Sequence, residues 1–162
     1  MTNKLRPENL DFIAAAPKRW TFDAEVAAPQ ARVFDAISAD PSTWTWFPGL
    51  SSGGYEGEGP HGVGSKRHVS MTGTTYRETM LAWDPPGRWA YRVDETSVPL
   101  AHALVEDWVI EAKGDHAVVR WTFAIDPRPL FRAGLAVAPK VMGRLFRKAM
   151  ANLSDELASG GS

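Results

Sequence analysis

"APQARVFDAISADPSTWTWFPGL", residues 28–50, decides the fold. Pro29 stands where a first helical turn tolerates a missing amide hydrogen, and Val33, Phe34 and Ile37 follow at helical spacing as far as Ser38. Asp40-Pro41 repeats the start signal, with Asp as N-cap and Pro in the first helical position. This second helix, which carries Trp44, has to be short, because Pro48 disfavours helical backbone at Phe47. Two short helices in tandem therefore run into Trp44, Trp46 and Phe47, just ahead of Pro48-Gly49. Loops with this punctuation are usually polar, so the three rings call for an apolar partner.

On the N-terminal side, "RWTFDAEVA" (19–27) alternates apolar and polar residues and predicts a half-buried strand. Residues 7–15 predict a short helix with Pro7 in its first turn. On the C-terminal side come a Gly-rich weak strand at 52–57 and strands at 64–71, 74–83, 88–94, 101–112 and 116–126. Thr72-Gly73, "DPPG" (84–87) and Gly114-Asp115 are the turn signals between them. From Pro129 to Ala158 the apolar period becomes helical, and Pro139 is expected to kink or start that helix. The order predicts an α+β chain: a curled antiparallel sheet of about seven strands, two short helices after the first, and a long C-terminal helix over the concave face. The expected organisation is an N-terminal extension over 1–18, one domain over 19–158 and a flexible tail over 159–162.

Composition excludes several classes. The chain has 162 residues, a net charge of −1 and no cysteine. There is no basic excess for nucleic acid, no disulfide framework and no thiolate metal site. His61, His68, His102 and His116 lack metal-ligand spacing, so no metal is expected. "GEGPHG" (57–62) fits GxGxxG but runs into a strand rather than a helix, so no nucleotide and no other cofactor is expected. No apolar run is long enough to span a bilayer, and the N-terminus lacks the apolar centre of a signal peptide; a cytoplasmic protein is expected. "NLS" (152–154) reads as a chance glycosylation match inside a helix. Between Pro127 and Leu153 stand six basic residues and no acidic ones. That face reads as solvated, with contact to anionic lipid as the alternative.

Five segments carry a family resemblance: residues 28–50, "GPHGVGSKR" (59–67), "ETMLAWDPPGRWAYRV" (78–93), "ALVEDWVIE" (103–111) and "VVRWTFAIDPRP" (118–129). With them the chain resembles the helix-grip proteins of the START and birch-pollen-allergen (SRPBCC) superfamily, and within it the polyketide cyclase/dehydrase-like proteins. The resemblance implies a deep cavity between sheet and long helix, with the short helices and their loop at one end. It implies binding or transport of a hydrophobic small molecule, lipid or polyketide-like. The alternatives are a cofactor-independent polyketide cyclase/dehydratase and a protein-interaction module like the Hsp90-activator branch. A monomer or weak homodimer is expected.

Strand alternation nominates the cavity wall. Arg67 and Val69, then Tyr76, Glu78 and Met80, then Tyr91, then Glu106 and Trp108, then Trp121 and Phe123 share inward faces. Leu135, Met142 and Phe146 close the wall from the helix. Trp46 and Phe47 are the loop residues expected to touch ligand, and Trp44 is read as an anchor. Among the polar groups, Arg67, Tyr76, Glu78, Tyr91, His102 and Glu106 are expected to meet inside. Glu78, Glu106 and Arg67 are the candidates for acid–base work, because a carboxyl in an apolar pocket has a raised pKa. Asp107, next to Glu106, faces the other way.

Overall fold

The computed structural model describes residues 2–160. The chain runs β1 (Asn3–Lys4), α1 (Phe12–Ala15), β2 (Lys18–Val26), α2 (Gln30–Ser38), a 3-10 turn (Pro41–Thr43), then β3 (Leu50–Tyr55) and β4 (Lys66–Met71). It continues with β5 (Thr74–Asp84), β6 (Arg88–Thr96), β7 (Ala101–Lys113), β8 (His116–Pro127), a 3-10 segment (Pro129–Ala136) and α3 (Ala138–Ser159). Strands β3 to β8 form an unbroken antiparallel meander, and β2 adds to β8. The architecture is the curled sheet with a long C-terminal helix that the sequence predicts.

The turns follow from local chemistry. Thr72 and Gly73, at φ 46° and 83°, link Met71 to its partner Thr74, and both take the positive φ that a two-residue hairpin demands. Gly114, at φ 63°, opens the turn between paired Lys113 and His116. Asp40 caps the 3-10 turn through Ser42 N at 2.9 Å. The second short helix is only this one turn, and Trp44 follows it as the closing cap. A Cβ on Gly53 would stand 2.7 Å from Pro41 Cβ, so glycine is what lets β3 pass beneath the turn.

Bulges make strand alternation locally unreliable. The β5–β6 register shifts between Arg77 and Glu78 and again between Met80 and Ala82. As a result Trp83 packs into the same core as Met80, while Leu81 joins Phe12, Ala103, Val105 and Ala124 in a separate cluster. On β7, Ala101 opposes Pro127 and Ala103 opposes Asp126, which leaves His102 as the extra residue of a bulge.

The N-terminal residues lie on the sheet. The last β6–β7 pair is Arg92 with Val105, and beyond it β1 takes up β6, with Lys4 opposite Glu95 and Asn3 opposite Thr96. Leu5 is buried with Val93, Ala101, Leu104 and Ile125. The helix predicted over 7–15 is confined to Phe12–Ala15. Leu5 N and Arg6 N instead bond to Asp94 O and His102 O, and the Asn9 side chain accepts from Asp11 N, a local turn that competes with helix.

At the other end, the helical pattern from Pro129 divides into the 3-10 segment and α3, with Pro139 in the first turn of α3. Helix α3 buries Gly143, Phe146, Ala149, Met150 and Leu153 against the sheet. Of the expected tail, Ser159 closes α3 and Gly160 follows it; residues 161–162 lie outside the described residues.

Candidate functional site

A cavity of about 330 Å³ lies between the concave sheet face, the 3-10 segment and α3. Its wall is mostly apolar: Trp20, Leu104, Trp108, Trp121, Phe123 and Ile125 from the sheet, and Leu135, Ala138, Met142 and Leu145 from the C-terminal elements. The exposed lining residues Thr72 and Gly134 mark its mouth, between the β4–β5 turn and the 3-10 segment. The inner end is plugged by rings. Trp108 and Trp121 stack with centroids 5.4 Å apart, and Phe146 sits 5.6 Å from Trp121 and 5.9 Å from Trp108. Offset and tilted ring pairs of this kind add to area burial.

One part of the wall is polar and deeply buried. Arg67 opposes Glu78 across β4–β5, and its Nε donates to Glu78 Oε2. Above that pair the guanidinium carbon lies 4.6 Å from the centroids of Trp89 and Tyr91 and 5.3 Å from Trp44. Burial lowers the Arg67 pKa, but Glu78, Tyr91 and Tyr55 outweigh it and hold the group above its ordinary value. Burial raises the Glu78 pKa, and the facing Arg67 only partly offsets this. Arg67 and Glu78 also border a second, charged pocket of about 270 Å³, with Lys66, Arg77, Arg92 and Asp94 among its lining residues.

Glu106 opposes Tyr91 across β6–β7 and accepts from Trp121 Nε1 at 3.2 Å. Burial, then the charge of Glu78, push its pKa up to about 8, against the pull of Tyr91, Arg67 and Trp121. Glu106 is therefore a neutral acid at pH 7, able to donate a hydrogen bond into an apolar space. Tyr91 is raised well above the ordinary phenol range by burial and by both carboxylates. Asp107 turns to the opposite face and takes Arg88 Nε at 2.9 Å.

The structure brings Phe47, Arg67, Val69, Tyr76, Glu78, Tyr91, Glu106, Trp108, Trp121, Phe123, Leu135 and Met142 to one cavity wall. Four expected residues lie elsewhere. Trp46 is buried in the core, and its carbonyl accepts from Asn152 Nδ2 on α3 at 3.1 Å. Met80 is buried beside the β5 bulge, and Phe146 lies within the aromatic plug. His102 is carried off the wall by its bulge.

Trp44 takes the lining position instead, tilted against Trp46 with ring centroids 4.7 Å apart. An aperiodic loop has no pattern that tells the two rings apart. Trp20, Leu104 and Ile125 were detectable from strand alternation alone. Phe131 and Gly134 were not, because a 3-10 segment obscures the helical period.

This layout is the helix-grip architecture: a curled antiparallel sheet gripping a long C-terminal helix around a cavity. Residues 19–158 match the family described as polyketide cyclase / dehydrase and lipid transport, and the chain belongs to that family. It is 27% identical over 146 residues to an uncharacterised protein of Mycobacterium tuberculosis, covering 89% of this chain and 87% of the relative. A START superfamily protein from Mycobacterium smegmatis superposes with a TM-score of 0.69 at 12% identity, covering 87% of this chain and 97% of the other. Norcoclaurine synthase from Thalictrum flavum, solved with dopamine and hydroxybenzaldehyde, superposes with a TM-score of 0.64 at 16% identity, covering 98% and 96%. At these identities the two structures establish a shared fold.

Proposed function

We propose that the protein binds a hydrophobic small molecule in this cavity, with the apolar body against the aromatic wall and one oxygen acceptor at Glu106. The observation that carries the reading is a buried Glu106, bonded to Trp121 Nε1, set in a largely apolar cavity of about 330 Å³. Such a site fits the general form of small-molecule pockets: apolar walls with a few convergent polar groups. The family's description and the aromatic ligands of norcoclaurine synthase support the same class of cargo.

The test is native mass spectrometry of gently purified protein, followed by titration with an apolar fluorescent dye. A co-purified lipid or polyketide, or saturable dye binding that Met142→Trp abolishes without unfolding the protein, supports the reading. No adduct and no saturable dye binding would discard it.

A second reading is favoured by the pairing of two buried carboxyls in this wall, Glu78 and Glu106, with the charge of Glu78 raising the proton affinity of Glu106. Two carboxyls of this kind beside Tyr91 are suited to proton transfer on a bound β-keto compound, as in a cyclase or dehydratase. A neutral Glu106 would protonate a carbonyl oxygen as it develops charge, and an ionised Glu78 would hold Arg67 in place. The discriminating outcome is Glu106→Gln: cargo binding kept with turnover lost marks an enzyme, and a change in affinity alone marks a carrier.

A further inference from the structure

The 3-10 segment Pro129–Ala136 buries none of its residues, although six of its eight are Leu, Phe, Ala or Pro at the cavity mouth. Long 3-10 stretches are uncommon and poorly bonded, so this segment is held by little beyond its neighbours. Four large apolar side chains stand exposed among the described residues, and three of them lie in this segment or in the first turns after it: Leu130 at 78%, Val137 at 59% and Val141 at 61%.

The first turns of α3 have two working faces. Ala138, Met142 and Leu145 line the cavity. Val137, Lys140, Val141 and Arg144, at spacings of three and four, share the opposite, exposed face. The charge there is one-sided. Residues 127–154 hold six of the chain's 18 Lys and Arg and none of its 19 Asp and Glu. A generic solvated helix alternates its charges, and exposed apolar groups left in water among cations forgo the gain that burial against a partner would bring.

We propose that Pro129–Arg144 is a docking surface for an anionic lipid membrane. Leu130, Val137 and Val141 enter the headgroup boundary, and the exposed Arg132, Lys140 and Arg144 meet the lipid phosphates. Charge complementarity selects this occupant over a second copy of the chain, because two such surfaces facing each other bring the same cations together. No helix of the described residues is long and apolar enough to cross a membrane, so contact is peripheral. The docked face lies one helix diameter, about 10 Å, from the cavity. Cargo then enters from the bilayer past Thr72 and Gly134, a consequence that rests on the binding reading above; the docking itself does not.

The experiment is flotation of the full chain with vesicles of phosphatidylcholine alone and of equimolar phosphatidylcholine and phosphatidylglycerol. Binding is expected to the mixed vesicles only and to fade as salt rises, since screening shortens to about 10 Å at 0.1 M. Each basic residue removed is expected to weaken binding about fivefold, so K140E/R144E falls well over tenfold. V137S/V141S weakens it too, while a charge change at the far β7–β8 turn, Lys113→Glu, leaves it unchanged. Equal binding to both vesicle types, or full binding by K140E/R144E, overturns the proposal. So does failure to float together with a dimer, seen by sedimentation, that V137S/V141S dissolves. Dye titration of the same variants separates the two readings: flotation lost with dye binding intact concerns docking alone.

Discussion

Arg67 and Glu78 are directly opposed partners on β4 and β5, and both are almost wholly removed from water, with side chains 2% and 5% exposed. Their pairing leaves Arg67 Nη1 without a hydrogen-bond partner, so the guanidinium depends on Glu78 and on the three surrounding rings. Breaking a buried pair from one side strands a charge, whereas replacing both sides by apolar groups is close to neutral. Arg67→Met and Glu78→Leu are each expected to lower unfolding free energy by about 3 kcal/mol or more. The double variant is expected to lose less than either single. Urea denaturation of the four proteins checks this, and simple additivity of the two losses would contradict it.

Glu106 predicts a pH dependence with a definite sign. Its folded pKa, about 8, lies above the unfolded carboxylate value, so the folded state holds a proton that the unfolded state releases. The associated stability is complete below the ordinary carboxylate range and is lost progressively as pH rises to about 8. One proton sets the limit at about 1.4 kcal/mol per pH unit. Between pH 5 and pH 8, wild type is expected to lose stability more steeply than Glu106→Gln. Parallel pH profiles for the two proteins would remove the neutral acid from the site.

The aromatic loop predicts a division of effects. The Trp46 ring is buried in the core against Trp44 and Phe47, so Trp46→Ala is expected to cost about 3–5 kcal/mol in stability. Phe47 lines the cavity and is only partly buried, so Phe47→Ala is expected to leave the melting temperature within a few degrees and weaken dye binding severalfold. Thermal melts paired with dye titration decide it. Equal destabilisation with no change in dye affinity would make both rings core.

What the sequence determined by itself was the order of elements and most of the wall. Turn chemistry at Thr72-Gly73 and Gly114-Asp115, the Asp40-Pro41 start signal and the period-two runs of β7 and β8 act over a few residues. Their outcome is therefore written locally, and Glu106, Trp108, Trp121 and Phe123 were assigned to one face from alternation alone. Only the tertiary structure decided the rest. The β7 bulge turns His102 off the wall, because a bulge adds one residue against a partner strand that the local pattern does not contain, and Met80, opposite Tyr91, packs into the core instead of reaching the cavity surface. Trp44 and Trp46 exchange expected places because contacts with Trp89 and with Asn152 of α3, far along the chain, orient an aperiodic loop. The proton on Glu106 was decided the same way: its retention depends on burial and on the charge of Glu78, and both exist only once β4 to β8 have come together around the cavity.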